Sequence, residues 1–290
     1  MTLQKKATIV ASLTSTLLIF IKLTIGILSG SVAVIASAID SVLDLIVSLF
    51  NFFAISKSEQ PANKIYNYGK GKIEALAAVI EGTVITMSGL FIFYMAIDKA
   101  IHYKKVEMLD ISIWVMLISL VITISLVLYL NYVAKKTGSM VIKSDALHYK
   151  TDIFTNSGIL VSLVIIHFSG WEIVDSIIGG LIAIYIIFEA TKLIKEGVYV
   201  LLDGALDSDV VEKIEYILKN ETGLNGYHFL KTRTSGLDNF VDVHLVFTSE
   251  ILLIDAHYIS DKIEDKIRLL DPKRKWVMNM HLDPFDDSND

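Results

Sequence analysis

The sequence predicts an α-helical membrane protein: six transmembrane helices followed by a small cytoplasmic α+β domain of αββαβ order. Three observations predict it. The 290 residues are 53% hydrophobic and only 20% charged, with a mean hydropathy of +0.56, too apolar for a soluble chain of this size. Six apolar runs, each long enough for the ~20 residues of a bilayer span, fill the chain as far as Ile194. From Gly204 onward the pattern changes to amphipathic helices and alternating strands. The boundary divides a transmembrane domain, 1–200, from a domain of 201–290.

The first run, Ala7 to Leu28, follows a short basic start and carries Lys22, which must face the bundle interior or snorkel. It is too long for a signal peptide and lacks a small-residue cleavage site. Ser29-Gly30-Ser31 is a tight link to the second run, Val32 to Ala54. A polar loop with Lys57, Lys64, Lys70 and Lys72 leads to the third, Ile73 to Ile101, whose first half holds Glu74 and Glu81. The polar link His102 to Asp110 precedes the fourth run, Ile111 to Val133, which has no ionisable group and is expected to face lipid. A basic link, Ala134 to Lys143, precedes the fifth, Ser144 to Phe168. Gly170-Trp171 turns into the sixth, Ile173 to Ile194. With the N-terminus inside, the cytoplasmic segments hold Lys5, Lys6, Lys57, Lys64, Lys70, Lys72, Lys135, Lys136, Lys143, Lys192 and Lys195. The opposite side holds only Lys104 and Lys105, so the positive-inside rule places both termini in the cytoplasm.

In the polar third, Ser208 to Asn220 has helical spacing, with Asp209 in its first turn. Tyr227 to Thr234 and Phe240 to Phe247 read as strands around a turn at Ser235-Gly236-Leu237-Asp238. Ile254 to Leu270 is a second helix and Lys275 to Leu282 a third strand. The tail from Asp286 to Asp290 is expected to be disordered. The net charge of −6, with an acidic C-terminal third, argues against a nucleic-acid partner. The chain has no cysteine, so any metal is bound by His, Asp or Glu.

Two motifs carry the chemistry. Asp40-Ser-Val-Leu-Asp44 interrupts the second apolar run, and His148-Tyr-Lys-Thr-Asp152 opens the fifth. Each places two ligand-type side chains at i and i+4, on one helix face about a turn apart. An ionised carboxylate inside a membrane helix costs at least ~2.5–3.5 kcal/mol, so three carboxylates need cationic compensation. A divalent ion held by Asp40, Asp44, His148 and Asp152 supplies it. The blander account, helix capping or pairing with Lys22 or Lys143, fits Asp40 and Asp44 poorly because both lie well inside their run. His228, His244, His257, His281 and Asp283 form a second constellation. Four of the chain's seven histidines fall in this small domain, and His281 and Asp283 share one strand face. Their bland alternative is surface histidines with structural hydrogen bonds. His102 and His167 read as loop and helix-end residues.

Six helices, DSVLD on the second, SDALHYKTD on the fifth and an αββαβ tail make the chain resemble the cation diffusion facilitator family over nearly its whole length. The resemblance implies a homodimeric, proton-coupled exporter of divalent metal in the cell (inner) membrane, with a metallochaperone-like cytoplasmic domain. It implies a transport site at Asp40, Asp44, His148 and Asp152, and a binuclear regulatory site at His228, His244, His257, His281 and Asp283 near the dimer interface. Histidine at position 148 goes with zinc or cadmium, and sometimes ferrous iron, more than with manganese. Lys72 and Asp203 match a family salt bridge that acts as a hinge. Bacterial zinc members often carry a loop site of one Asp and two His. The matching Asn63, Tyr66 and Lys70 are no ligand set, so the resemblance implies its absence.

Metal and proton competing for one site, with alternating access, amounts to antiport. A non-transporting metal sensor and scaffold is the alternative. An intramembrane metalloprotease lacks its HExxH motif here, and a passive channel conflicts with a tight site.

Overall fold

The structure, a computed structural model, describes residues 1–29, 32–102, 110–169, 171, 173–236 and 238–286. The expected links through Gly30-Ser31, Lys104-Lys105 and Gly170, the turn residue Leu237, the end of the tail and the side chains of His102 and His167 lie outside that description. The chain divides into two compact units, Met1–Val198 and Tyr199–Asp290.

The first unit consists of α1 (Leu3–Ser29), α2 (Val32–Ser58), α3 (Lys72–His102), α4 (Asp110–Thr137), α5 (Met140–Ser169) and α6 (Ile173–Leu201), the last of which runs just past the unit boundary. Five of these helices are long and apolar enough to cross a membrane. The sixth, α5, has 30 residues, and its first half carries Lys143, Asp145, His148, Lys150 and Asp152. Much of that polarity turns inward: Asp145 is buried and His148 largely so, while Lys143 is exposed.

Two expectations are corrected. The basic link between the fourth and fifth runs is itself mostly helical. Lys135 and Lys136 sit in the last turn of α4, where cations complement the helix dipole. The break shrinks to Gly138 and Ser139, with Gly138 at φ 68° and its N–H bonded to Ala134 O at 2.8 Å. Nor does α4 simply face lipid. Leu126, Leu130 and Val133 are buried in a core with Ala7 and Ala11 of α1, Ile55 of α2, and Val141, Ile142 and Tyr149 of α5. The opposite stripe, which includes Trp114, Leu117, Val121, Leu128 and Tyr132, is exposed. A helix apolar on every side hides from sequence inspection which side packs.

In the second unit, α7 (Ser208–Lys219), β1 (Gly226–Ser235), β2 (Asp238–Val246), α8 (Leu253–Arg268) and β3 (Lys275–Asp283) follow in the expected order. The sheet order is β1-β2-β3, with β1 antiparallel and β3 parallel to β2. A parallel neighbour requires a crossover, and α8 provides it. Val241, Val243 and Leu245 of β2 meet Ile214 and Leu218 of α7 and Ile263 and Ile267 of α8 in one core. Strand alternation therefore turns Asp242 and His244 to the opposite face.

Candidate metal centres

In the first unit the two motifs meet. Asp44 on α2 and His148 and Asp152 on α5 bring one ligand atom each within 4.8 Å of one another. His148 Nε2 donates to Asp44 Oδ1 at 3.0 Å. One nitrogen and carboxylate oxygens at such separations suit a borderline divalent ion in tetrahedral geometry. Asp40, a turn away on α2, is exposed and is not part of this group. Lys22 is buried beside it. Its Nζ donates to Ser41 Oγ at 2.9 Å and Ser37 O at 3.2 Å, within Coulombic reach of Asp44, Asp152 and Asp40. A fixed ammonium thus offsets part of the carboxylate charge.

Three further groups around this site were not singled out in the sequence as site residues. Tyr149 Oη bonds Ser15 Oγ at 2.7 Å and Ser48 Oγ at 2.8 Å, tying α5 to α1 and α2 beside Asp44 and His148. Asn51 of α2 and Glu81 of α3 are hydrogen-bonded at 3.2 Å, and Ser144 of α5 also donates to Glu81. Asp145, one turn before His148, is buried. The only sequence signal for them was polarity inside apolar runs, which does not say which groups meet.

In the second unit the sheet register aligns His228, His244 and His281 across three strands. Asp283 joins them. Its Oδ2 accepts from His228 Nε2 at 3.0 Å and His244 Nδ1 at 2.9 Å, and its Oδ1 lies 3.0 Å from His281 Nε2. Burial alone would push the Asp283 carboxyl up, but the hydrogen bonds from His228 and His244 outweigh it and hold the carboxyl below its usual range. The register shifts between His228 and Lys231, where Phe229 sits at φ 51°. Such a bulge re-aims the neighbouring side chains. His228, His244 and Asp283 fit a zinc-type ion, with His281 beside them. His257 stands apart: it is exposed on α8, 3.7 Å from Asp261.

The remaining expected positions are accounted for locally. Asn63 Oδ1 accepts from the N–H groups of Ile65 and Tyr66 at 2.9 Å, while Lys70 reaches Gln60 Oε1 at 3.0 Å and lies over the Tyr66 ring. These contacts build a turn. Lys72 opens α3, and Asp203 accepts from Arg233 Nη1 at 3.2 Å in the second unit.

A helical membrane domain with a carboxylate–imidazole cluster inside it, followed by a small sheet domain bearing a second such cluster, is the plan of a metal transporter. Residues 8–202 match the family model of the cation efflux transmembrane domain, and residues 206–285 that of the cation efflux protein cytoplasmic domain. The chain is similar to the protein named cation-efflux pump FieF from Citrobacter koseri, at 35% identity over 97% of this chain and 93% of the relative. The proteins of that name from Klebsiella pneumoniae and Escherichia fergusonii are each 34% identical over the same shares. The chain belongs to the cation efflux family, the cation diffusion facilitators. It is a multi-pass membrane protein of metal cation efflux with the family's cytoplasmic dimerisation domain, and not an enzyme.

Proposed function

We propose that the protein exports divalent metal from the cytoplasm in exchange for protons, with zinc as the leading cargo and cadmium or ferrous iron as further ones. It works as a homodimer in the cell (inner) membrane with both termini in the cytoplasm. The observation that carries this reading is the convergence of Asp44, His148 and Asp152 from two helices inside the apolar unit. Asp40 is the fourth ligand in this reading, brought in by a side-chain rotation. The His148–Asp44 contact joins two of the groups that ligate metal, and a proton on that imidazole must leave before metal binds through the same nitrogen. Alternating access converts that competition into antiport.

The His228–His244–His281–Asp283 cluster is the cytoplasmic regulatory site in this reading, and His257 contributes only through assembly or movement. The pairing of Lys72 with Asp203 belongs to the same proposal, as the hinge between transport and regulation.

Liposomes containing a metal-sensitive dye and a pH gradient test it. Zinc flux should follow the proton gradient, fall to background in Asp44→Ala, and lose most of its pH dependence in His148→Ala. Full pH dependence in His148→Ala would sink the shared-site mechanism. A wild-type protein that moves no metal would favour the sensor-scaffold alternative.

A further inference from the structure

A second polar cluster lies inside the helices, and the proposed mechanism does not use it. It comprises Asn51 on α2, Glu81 on α3, and Ser144 and Asp145 on α5, with exposures of 0%, 4%, 0% and 0%. Asn51 Nδ2 donates to Glu81 Oε2 at 3.2 Å, and Ser144 Oγ donates to the same oxygen. Asp145 faces Glu81 and Asn51. Four buried oxygens of this cluster, Asn51 Oδ1, Glu81 Oε1 and both carboxylate oxygens of Asp145, accept no hydrogen bond of ordinary geometry, although the Asn51 amide is close enough to interact with the Asp145 carboxylate. Buried polar atoms are rarely left so, and each one costs about 1–3 kcal/mol. The charged groups facing Asp145 are Glu81, His148 and Asp44, and those facing Glu81 are Asp145 and His148. No lysine or arginine is among them. The buried Lys22 is committed to Ser37 and Ser41, facing Asp40, Asp44 and Asp152.

An amide oxygen and two carboxylates, brought together on three neighbouring helices, are the donor types of a divalent cation with oxygen ligands. The cluster contains no nitrogen ligand, in contrast to the Asp44–His148–Asp152 group. Asp145 lies one turn N-terminal to His148 on α5, and Asn51 two turns C-terminal to Asp44 on α2. The cluster therefore sits between that group and the helix ends bearing Lys57 and Lys143.

We propose that Asn51, Glu81 and Asp145 form a second, all-oxygen site for the transported divalent cation. It holds the ion weakly before delivery to the site containing His148. Its place on the cytoplasmic approach rests on the transporter reading; its capacity to bind an ion does not. Lacking imidazole, it should discriminate little between zinc and manganese, leaving selection to the His148 site.

The test is equilibrium dialysis of the full-length protein in detergent against zinc and against manganese, counting ions per chain. Glu81→Gln combined with Asp145→Asn keeps side-chain size and should bind one ion fewer than wild type for both metals. Asn51→Ala, which removes a single neutral ligand, should retain that ion with at least several-fold weaker affinity and raise the half-saturating zinc concentration for flux. Unchanged counts in the carboxamide variant, or unchanged affinity in Asn51→Ala, would overturn the inference, since protons rather than metal would then be satisfying these oxygens. That result together with normal zinc flux leaves the transporter reading standing. Loss of flux in Asp44→Ala with the extra ion still bound separates the two claims from the other side.

Discussion

Tyr149 shows how one residue can set the geometry of a site it does not ligate. It follows His148 in the chain, is buried, and receives or gives hydrogen bonds with Ser15 and Ser48. Ser48 is one turn beyond Asp44 on the same helix. The hydroxyl therefore holds α2 and α5 in the rotation that lets Asp44 meet His148. Removing it in Tyr149→Phe leaves two buried serine hydroxyls without that partner, a cost of about 1–3 kcal/mol. The expected result is a lower thermal midpoint in detergent and several-fold weaker zinc binding at the proposed Asp44–His148–Asp152 site. A midpoint that drops with unchanged affinity would mean that Tyr149 stabilises the bundle without positioning the ligands. Neither the partners of Tyr149 nor the exposed place of Asp40 was legible in the sequence. The spacing i, i+4 puts Asp40 and Asp44 on one face, but only packing decides which of the two turns inward.

Between elements, α3 and α6 approach through small residues. A Cβ at Gly82 would stand 2.9 Å from Ile194 Cγ1, and one at Gly197 2.6 Å from Val79 Cγ2 and 3.0 Å from the Ala75 carbonyl. Between apolar helices in lipid, association relies on such close contact because hydrophobic burial contributes little. Gly197→Leu must push the helices apart against backbone, with an overpacking penalty of about 1–3 kcal/mol or more. Gly180, on the same helix, has nothing within 4 Å of a Cβ, so Gly180→Ala is the matched control. Size-exclusion profiles and thermal midpoints should separate the two variants clearly. Equal behaviour would mean that the α3–α6 contact adds nothing to stability. The helices themselves were legible from apolar run length, with α4 extending past its predicted end because Lys135 and Lys136 in the last turn are compatible with continued helix.

At the scale of the whole molecule, each unit has its own core, and the second is also held by charge. Glu221, just after α7, has its carboxylate buried against Lys262 at 2.7 Å and Lys266 at 2.5 Å on α8. Burial acts to raise its pKa, but the two lysine hydrogen bonds outweigh it and lower the value. A carboxyl whose folded pKa lies below its unfolded one stabilises the fold above the usual carboxylate range. That stability is lost as pH falls through the folded value. Glu221→Gln should therefore reduce hydrogen-exchange protection in α7 and α8 of the intact chain several-fold at neutral pH. The gap from wild type should close in acid. A gap that persists in acid would assign the effect to packing rather than to the ion pairs.

What the sequence by itself determined was the number, order and kind of elements, because apolar run length and strand or helix periodicity are local properties. It also determined which residue types could bind metal, since a chain without cysteine leaves imidazole and oxygen ligands and no thiolate. Which of those ligands converge was decided by the tertiary structure alone. Asp44 meets His148 across 104 positions through the rotation of two helices. His228, His244 and His281 align through strand register, while His257, on a helix, is left outside. The Asn51–Glu81–Asp145 cluster draws on three helices. Nothing in the periodicity of any one of them states how it is turned toward the others, because that rotation is set by the packing of all of them together.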